Sequence, residues 1–297
     1  MTDNPKNAAA TVQQQAGRVR SKTSILVVCL GLILAVVVTF NVWLMSSQLR
    51  LSSDLSRERA FWALCHSGTT PQRRTDYFLQ LVAEGNTEWQ SAKLTHLELK
   101  AVDLTNAKLE AAVFSTCEFA NADFSKAILN KAGLDNSDLT EASFSGVQMR
   151  NATLFKSVLK SADFRNADLL STSFEQARAH DATFVAAKMG DCFLALTDAT
   201  GADFTGADLS GANLEAAILK DTDLALTNLY GTQLKDTDFT NSNWWRSRGL
   251  SSQQLDDLTL SFPPNPQASE SRQRDFEIWL TKRLGDIDNS PGRPPTE

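Results

Sequence analysis

A strict five-residue repeat constrains the fold of this chain more than any other feature of its sequence. From Leu94 to Trp244 every fifth position, which we term the centre of its repeat, continues without insertion or deletion through 31 repeats. A large residue stands at 29 of these centres, and Ala stands at the other two, Ala179 and Ala199. Seventeen centres are Leu and nine are Phe, and the residue two positions before each centre is small or apolar, most often Ala. A period of five matches neither an α-helix, at about 3.6 residues, nor a flat strand, at about 2. It indicates a narrow solenoid whose interior holds one large and one small side chain from each repeat.

These repeats resemble the pentapeptide-repeat family, whose consensus is A-(D/N)-L-x-x. The segments GADFT, GADLS and GANLE at 201–215 follow that consensus closely. The resemblance implies an all-β solenoid, a right-handed quadrilateral β-helix with four repeats in each coil, so that residues 20 apart stack. At about 4.8 Å between strands, the repeats would make a rod of nearly eight coils, roughly 37 Å long.

The distribution of Phe supports this stacking independently. Reading every fourth centre from Leu104 gives five consecutive Phe, which a stacked aromatic ladder requires. The chain has 16 Phe and only 2 Tyr, as expected where a phenolic hydroxyl would lack a partner. The predicted ladder column is Leu104, Phe124, Phe144, Phe164, Phe184, Phe204, Leu224 and Trp244.

An apolar run near the N-terminus predicts a membrane anchor. Ile25 to Met45 contains 21 residues without a charge. At about 1.5 Å per residue, this run matches the ~30 Å hydrocarbon core of a bilayer. A buried helix of a soluble protein fits less well, because such helices rarely run this long without a polar face. A cleaved signal peptide fits less well, because the apolar run is too long and no small-x-small cleavage site follows it. We therefore expect a retained single-pass transmembrane helix, with the lipid bilayer as its partner.

The basic residues that flank this run slightly favour an N-terminus in the cytoplasm. The expected location is the bacterial inner (cytoplasmic) membrane, with the repeat domain periplasmic or otherwise extracytoplasmic. The flanking basic residues are Lys6, Arg18, Arg20 and Lys22 before the run and Arg50, Arg57 and Arg59 after it.

Residues typical of helix ends flank the coil on both sides. The exposed ends of a solenoid need capping elements, and these helices would supply them. Thr70 as N-cap, Pro71 in the first turn and Gly85 past the end predict a helix before the coil, and Ser251 or Ser252 is expected to cap another after it. The predicted organisation is a basic tail (1–24), a transmembrane helix (25–45), a helical linker and N-terminal cap (46–90), the pentapeptide-repeat β-helix (91–246), a helical C-terminal cap (247–284) and a disordered tail (285–297).

The sequence predicts no catalytic, cofactor or metal site. The three His residues follow no metal-ligand spacing, and no phosphate loop or nucleophile motif occurs. A coil filled by side chains leaves no internal pocket, so an enzyme would need a pocket between the coil and its caps. Cys117 and Cys192 stand 15 repeats apart, which under four-sided stacking places them on different sides of the coil and excludes a disulfide between them.

Two surface features are candidate functional sites. The first is an acidic face beside the Phe ladder, whose carboxylates could bind cations or imitate a phosphate backbone, or could each satisfy a local turn. The second is a candidate partner contact formed by apolar residues at positions where polar ones are expected. The candidate acidic face is Asp103, Asp123, Asp163, Asp203 and Asp223, and the candidate contact is Phe155, Phe193 and Leu196.

Taken together, these features predict a membrane-anchored scaffold that presents a rigid β-helix to an unidentified protein partner and performs no catalysis. A homodimer through the C-terminal helix is a further candidate. The alternative, implied by the family resemblance, is a cytoplasmic protein that regulates a nucleic-acid enzyme such as DNA gyrase by mimicking DNA. The coil has 14 Lys and Arg against 21 Asp and Glu, and this net charge of −7 is modest for a DNA mimic. Direct nucleic-acid binding is not expected, because the whole chain carries a formal charge of −6.

Overall fold

The repeats pair in parallel along the whole coil. In the computed structural model, which describes residues 70–266 and 268–288, parallel β-bridges run from Glu88 with Lys108 to Asn228 with Arg248. Every bridge joins two residues 20 apart, so four repeats complete one coil. The four-sided stacking expected from the repeat is therefore confirmed.

One repeat shows why the backbone folds this way. The Asp163 N–H donates to the Ala142 carbonyl at 3.0 Å, and the Phe164 N–H donates to the Thr183 carbonyl at 2.7 Å, so each repeat is bonded to the coils on both sides. Asn166, two positions after the centre, has a φ of 58°. Each repeat up to the one centred on Phe239 places a left-handed residue at this corner, and the turn limits each pairing to a single bridge. Within the described residues, the β-structure consists of isolated bridges rather than continuous strands.

The interior of the coil is apolar and closely stacked. The centres and the small residues that precede them point inward and are almost all buried. Successive ring centroids from Phe124 to Phe204 lie 4.9, 4.7, 5.0 and 4.8 Å apart, and their planes differ by 2° to 5°. These spacings match the distance between bridged strands, so the five-membered Phe ladder predicted from the sequence is confirmed.

A helix covers the N-terminal end of the coil. Helix α1 spans Pro71–Ala83, and the Thr70 side chain accepts a hydrogen bond from the Arg73 N–H, as the sequence indicates. Phe78 is fully buried, and its ring centroid lies 4.4 Å from that of Trp89. This contact seals the first coil with aromatic rings.

Two further helices cover the C-terminal end. After a short 3₁₀ helix, Trp244–Arg246, helix α2 spans Ser252–Ser261 and helix α3 spans Glu270–Asp288, beyond the predicted end of the cap at 284. Ser251 caps α2 through a capping box with Gln254. Aromatic side chains of α3 contact the last tryptophans of the coil: the Trp244 centroid lies 5.3 Å from Trp279 and 6.1 Å from Phe276.

The expected membrane location is corrected by the structure. In the part of the chain that the structure describes, no helix is long and apolar enough to cross a bilayer. The prediction of an inner-membrane protein with an extracytoplasmic repeat domain was drawn from hydropathy and flanking charge alone, and this finding contradicts it. The predicted anchor at Ile25 to Met45, the linker at 46–69 and the tail after Asp288 lie outside the described residues.

Candidate interaction surface

The coil presents four flat sides, and the apolar candidates lie on one of them, which we term the Phe193 face. Residues just before each centre are bridged to their counterparts in the coils above and below, so this face is a regular grid of side chains held by backbone hydrogen bonds. The Phe193 face contains the repeats centred on Leu94, Phe114, Leu134, Leu154, Phe174, Leu194, Leu214 and Leu234.

Phe193 and Leu196 form an exposed apolar pair. The Phe193 residue is 47% exposed and Leu196 is 57% exposed, although both belong to residue types that are usually buried. Phe193 is bridged between Ser173 and Asn213, so neutral polar side chains border the pair along its column. Leu196 has a φ of 59°, a conformation that costs an ordinary L-residue roughly 1–2 kcal/mol. A leucine at this corner therefore stabilises neither the turn nor the core.

The structure does not join Phe155 to this pair. Phe155 lies two coils earlier on the same face and is only partly exposed. The Lys156 ammonium stands 4.9 Å from its ring centroid, which is within cation–π distance. Glu175 occupies the column position between Phe155 and Ala195, so a carboxylate separates the two apolar surfaces. We restrict the candidate contact to Phe193 and Leu196, which we term the apolar pair.

Each Asp of the candidate acidic face satisfies a local turn. All five carboxylates accept a hydrogen bond from the backbone N–H two residues later, at 2.8 to 2.9 Å. The same bond is made by Asn213, whose side-chain oxygen accepts from the Glu215 N–H at 2.9 Å. An uncharged residue therefore performs the same structural task, and the turn requires the acceptor rather than the charge.

The acidic column is also interrupted. Ser143 and Thr183 stand within it, and the bridges show Asp103 paired with Asp123 but Asp163 lying between the two neutral residues. The Arg165 guanidinium lies 2.5 Å from the Asp163 carboxylate and partly neutralises its negative charge. The face thus carries two short acidic segments rather than one continuous line of charge.

The pKa of Asp103 shows the effect of these turns. The hydrogen bonds from the Thr105 backbone and side chain hold the pKa of this carboxyl below its usual value. For Asp223, burial opposes ionisation, but bonds from the Asn243 side chain and the Ala225 N–H prevail, and its pKa is also lowered. Both groups are therefore anionic at neutral pH.

The sequence reasoning missed three large exposed residues of the coil, namely Leu170, Leu226 and Tyr230. Leu170 is 37% exposed, Leu226 is 67% exposed and Tyr230 is 72% exposed. Tyr230 lies beside the corner at Gly231, which follows the corner at Leu226 along the chain. Leu226 has a φ of 62° and occupies the same corner position as Leu196. The signal that identified Leu196, a leucine two residues after a centre, would have found Leu226 as well.

The buried cysteines have structural roles. The Cys117 thiol donates to the Leu94 carbonyl at 2.8 Å and accepts from the Leu97 N–H at 3.4 Å. Thr197 makes the equivalent bond to the Phe174 carbonyl at 2.7 Å, so the thiol stands in for a hydroxyl. Burial raises the pKa of Cys117 to about 11 and that of Cys192 to about 12, which keeps both thiols protonated and unreactive at neutral pH.

A cleft lies between the last coil and α2, where an enzyme would need its pocket. Its volume is about 710 Å³, and neither His nor Cys lines it. Among the described residues, no group of three or more His, Cys, Asp or Glu side chains is placed to hold a metal ion. Lys235 and Asp238, which line the cleft, form ion pairs with Glu215 and Lys220 at 2.9 and 3.1 Å. The polar groups that line the cleft are carboxylates, hydroxyls, one amide and one ammonium.

A comparison with models of protein families identifies the repeats. Eight copies of the model for pentapeptide repeats match the chain, over residues 98–132, 117–154, 157–194, 180–215 and 207–243. A comparison with curated protein sequences gives no significant match.

Three solved structures illustrate what this chain is similar to. Two are described as pentapeptide repeat proteins, and one is described as a fluoroquinolone resistance protein. HetL, a pentapeptide repeat protein involved in heterocyst differentiation regulation from the cyanobacterium Nostoc sp. strain PCC 7120, is 24% identical over 56% of this chain and 95% of its own, with a TM-score of 0.25. Full-length QnrB1, a plasmid-mediated fluoroquinolone resistance protein, is 18% identical over 58% of this chain and 95% of its own, with a TM-score of 0.31. A pentapeptide repeat protein from the Arabidopsis thaliana thylakoid lumen is 25% identical over 48% of this chain and 88% of its own, with a TM-score of 0.19.

The family assignment rests on the sequence match together with the coil. The matched segments extend from 98 to 243, within the region where every bridge joins residues 20 apart. Four repeats per coil, inward centres and polar turns are the arrangement expected of the right-handed β-helices that such repeats form. The chain therefore belongs to the pentapeptide-repeat family.

Proposed function

We propose that this chain is a non-catalytic scaffold that binds a protein partner through the apolar pair on the Phe193 face. One observation carries the proposal: Phe193 and Leu196, 47% and 57% exposed, lie three residues apart on a rigid side of the coil. Pentapeptide-repeat proteins are generally interaction scaffolds rather than enzymes, and large exposed apolar side chains held in fixed positions favour a protein partner.

The rigidity of the coil supports this role. Phe193 is fixed to the preceding coil, because its N–H donates to the Thr172 carbonyl at 3.0 Å and its carbonyl accepts from the Phe174 N–H at 2.7 Å. The neighbouring Leu194 N–H donates to the Asn213 carbonyl of the next coil at 2.8 Å. Beneath it, Leu194 is buried in the core. A contact presented on such a backbone loses little conformational entropy when a partner binds.

The test is a crosslinking capture with the full chain, comparing the wild type with Phe193→Asp. Asp or Asn already precedes many centres in this coil, as Asp163 does, so the substitution fits the backbone. Leu226→Asp is the matched control, because Leu226 is an exposed corner leucine on another side. Proteins that Phe193→Asp loses and Leu226→Asp retains would support the proposal. Equal recovery with all three chains would refute it.

The second candidate function is DNA mimicry. The observation in its favour is that Asp103 with Asp123, and Asp203 with Asp223, are bridged neighbours whose carboxylates lie side by side on one face. The discriminating assay is inhibition of DNA gyrase supercoiling by the full chain. Inhibition that is lost when Asp203 and Asp223 are both changed to Asn would support mimicry, because Asn preserves the turns and removes the charge.

The helices at the C-terminal end also support a proposed self-association. Leu260 of α2 and Ile278 and Leu284 of α3 are 83%, 64% and 55% exposed, and a second copy of the chain could cover them. We propose that the helical segments before and after the coil cap its two ends. We also propose that Leu260, Ile278 and Leu284 form a homodimer contact. Light scattering that gives a dimer for the wild type and a monomer for Ile278→Asp would support it, and a monomeric wild type would refute it.

A further inference from the structure

The cleft between the last coil and α2 has the size of a binding site. Its volume of about 710 Å³ falls within the range of roughly 300–1,000 Å³ that is typical of ligand sites. It lies at the C-terminal end of the Phe193 face, away from the apolar pair. Its lining consists of Leu234, Lys235, Asp236, Thr237, Asp238, Thr240, Gln254, Asp257, Leu258, Ser261 and Phe262.

The floor of the cleft is an uncovered end of the core. Of all the centres from Leu94 to Trp244, Leu234 alone is not buried. The position 20 residues further along is Gln254, which lies in α2 rather than in another coil. Leu258 and Phe262 line the cleft together with Leu234, which stays only half-buried. The coil therefore ends at this corner with apolar surface that its own cap does not cover.

Backbone donors line the same edge. In the preceding coil, the Leu214 N–H donates to the Gln233 carbonyl and the Ala216 N–H donates to the Lys235 carbonyl, both at 2.9 Å. The corresponding N–H groups of Leu234 and Asp236 have no acceptor among the described residues. An open edge of this kind is a template for an added extended segment.

The cap satisfies the other half of this edge. The Gln254 amide donates to the Thr232 carbonyl at 3.2 Å, where the backbone of a further coil would otherwise donate. Two amide donors thus remain beside an apolar floor, while the neighbouring carbonyl is occupied. An occupant that completes the edge must supply carbonyl oxygens.

The rim of the cleft is acidic. Asp257 is exposed, Asp236 is 72% exposed, and Asp238 remains anionic, because bonds from Thr240 and Lys220 outweigh the effect of burial and lower its pKa. Lys235, a basic residue of the lining, lies 2.9 Å from Glu215 and only 3.9 Å from Asp236. The field at the rim therefore favours a cationic occupant.

We propose that this cleft binds an extended basic peptide segment of a partner protein, which adds one strand-like layer to the open end of the coil. Its carbonyls accept from the Leu234 and Asp236 N–H groups, an apolar side chain packs on Leu234, and lysine or arginine side chains face Asp236 and Asp257. Addition of a strand to an exposed edge is an established mode of peptide recognition. This site is independent of the apolar pair and does not rest on the function proposed for it.

The test uses the full chain and a fluorescein-labelled, end-capped heptapeptide that alternates lysine with valine and leucine. Alternate side chains of an extended peptide point to opposite sides, so the apolar residues can face the floor. The double variant Asp236→Lys with Asp257→Lys is expected to weaken binding at least tenfold by fluorescence anisotropy. Lysine fits the left-handed corner at Asp236, since Lys126 and Lys156 occupy equivalent corners with φ of 59° and 57°.

Glu110→Lys is the matched control, because Glu110 is an exposed carboxylate elsewhere on the coil. It should leave affinity within twofold of the wild type. Hydrogen exchange should show the Leu234 and Asp236 amides slowed by the peptide. Absence of binding, equal weakening by Glu110→Lys, or binding that leaves both amides unprotected would each overturn the proposal.

Discussion

Replacing Phe164 by Leu tests whether the aromatic ladder stabilises the coil through its rings rather than through burial alone. Phe164 is fully buried, and its ring stacks on Phe144 at 4.7 Å and on Phe184 at 5.0 Å. It also meets Phe174 edge-on at 5.7 Å. Leu is the commonest centre in this coil, so the backbone accepts the substitution.

The expected cost follows from the three ring contacts. Each aromatic pair contributes about 0.5–1.5 kcal/mol beyond its buried area, so their loss amounts to roughly 1.5–4.5 kcal/mol. Phe239→Leu is the matched control, because Phe239 is equally buried but pairs only with Phe262 among the described rings, at 6.0 Å. The control loses one such contact, and the difference between the two variants should be about 1–3 kcal/mol.

The assay is urea unfolding of the full chain, followed by circular dichroism. Repeat proteins can unfold in segments, so hydrogen exchange of the amides around 164 should accompany it. Phe164→Leu should lower the free energy of unfolding more than Phe239→Leu and speed exchange in the coils at 144–184. Equal losses for the two variants would refute the reasoning, since burial alone would then account for both.

Three other predictions follow from the same coil. Ala179→Leu should destabilise the protein by about 1–3 kcal/mol through overpacking, because Ala179 is buried in the coil that also holds Phe174 and Phe184, whose centroids lie 5.8 Å apart. Leu196→Asn should raise the melting temperature, with a gain of about 0.5–1 kcal/mol, because Asn tolerates a left-handed φ, and it should weaken partner binding. Asp103 has a lowered pKa in the folded chain, so its stabilising contribution is present above the unfolded pKa of about 4 and is lost as pH falls through the folded pKa. The melting temperature should therefore fall with acidification, and less steeply in Asp103→Asn.

Each of these predictions has a contrary result. A higher melting temperature for Ala179→Leu would show an unfilled space beside the rings. For Leu196→Asn, the reverse change Asn166→Leu is the control, and the corner argument fails if both variants shift the melting temperature in the same direction. An acid slope that is unchanged in Asp103→Asn would show that other groups govern the acid sensitivity.

The five-residue register predicted the interior of the coil in detail. A period without insertions leaves no freedom in which residues stack, so the register alone assigns Phe124 to Phe204 to one ladder. The same register separates Phe155 from Phe193 by two coils, a consequence that the sequence reasoning did not draw. The sequence also allowed the interpretation that each Asp of the acidic face accepts a hydrogen bond in its own turn, because Asp commonly does so. The bond from the Thr105 N–H to Asp103 is one instance.

The ends of the coil were not predictable in the same way. Which part of the last coil stays open depends on how α2 docks, and no repeat register specifies that docking. In the sequence, Leu234 looks like any other buried centre. Its side chain stays partly exposed, and the Asp236 N–H has no acceptor among the described residues, because Gln254, 20 residues after Leu234, lies in α2 rather than in a further coil. The membrane location failed as a prediction because hydropathy and flanking charge were its only support.

The most direct test of the central claim is the dissociation constant between the full chain and the protein partner recovered by crosslinking. Removal of an interface anchor typically costs 2 kcal/mol or more, which corresponds to about a 30-fold loss of affinity. We predict a loss of this size for Phe193→Asp, with an unchanged melting temperature, and an affinity within twofold of the wild type for Leu226→Asp. The melting temperature of Leu226→Asp should rise slightly, because Asp tolerates the φ of 62° at this corner better than Leu does. Equal affinities of the wild type and Phe193→Asp would contradict the account.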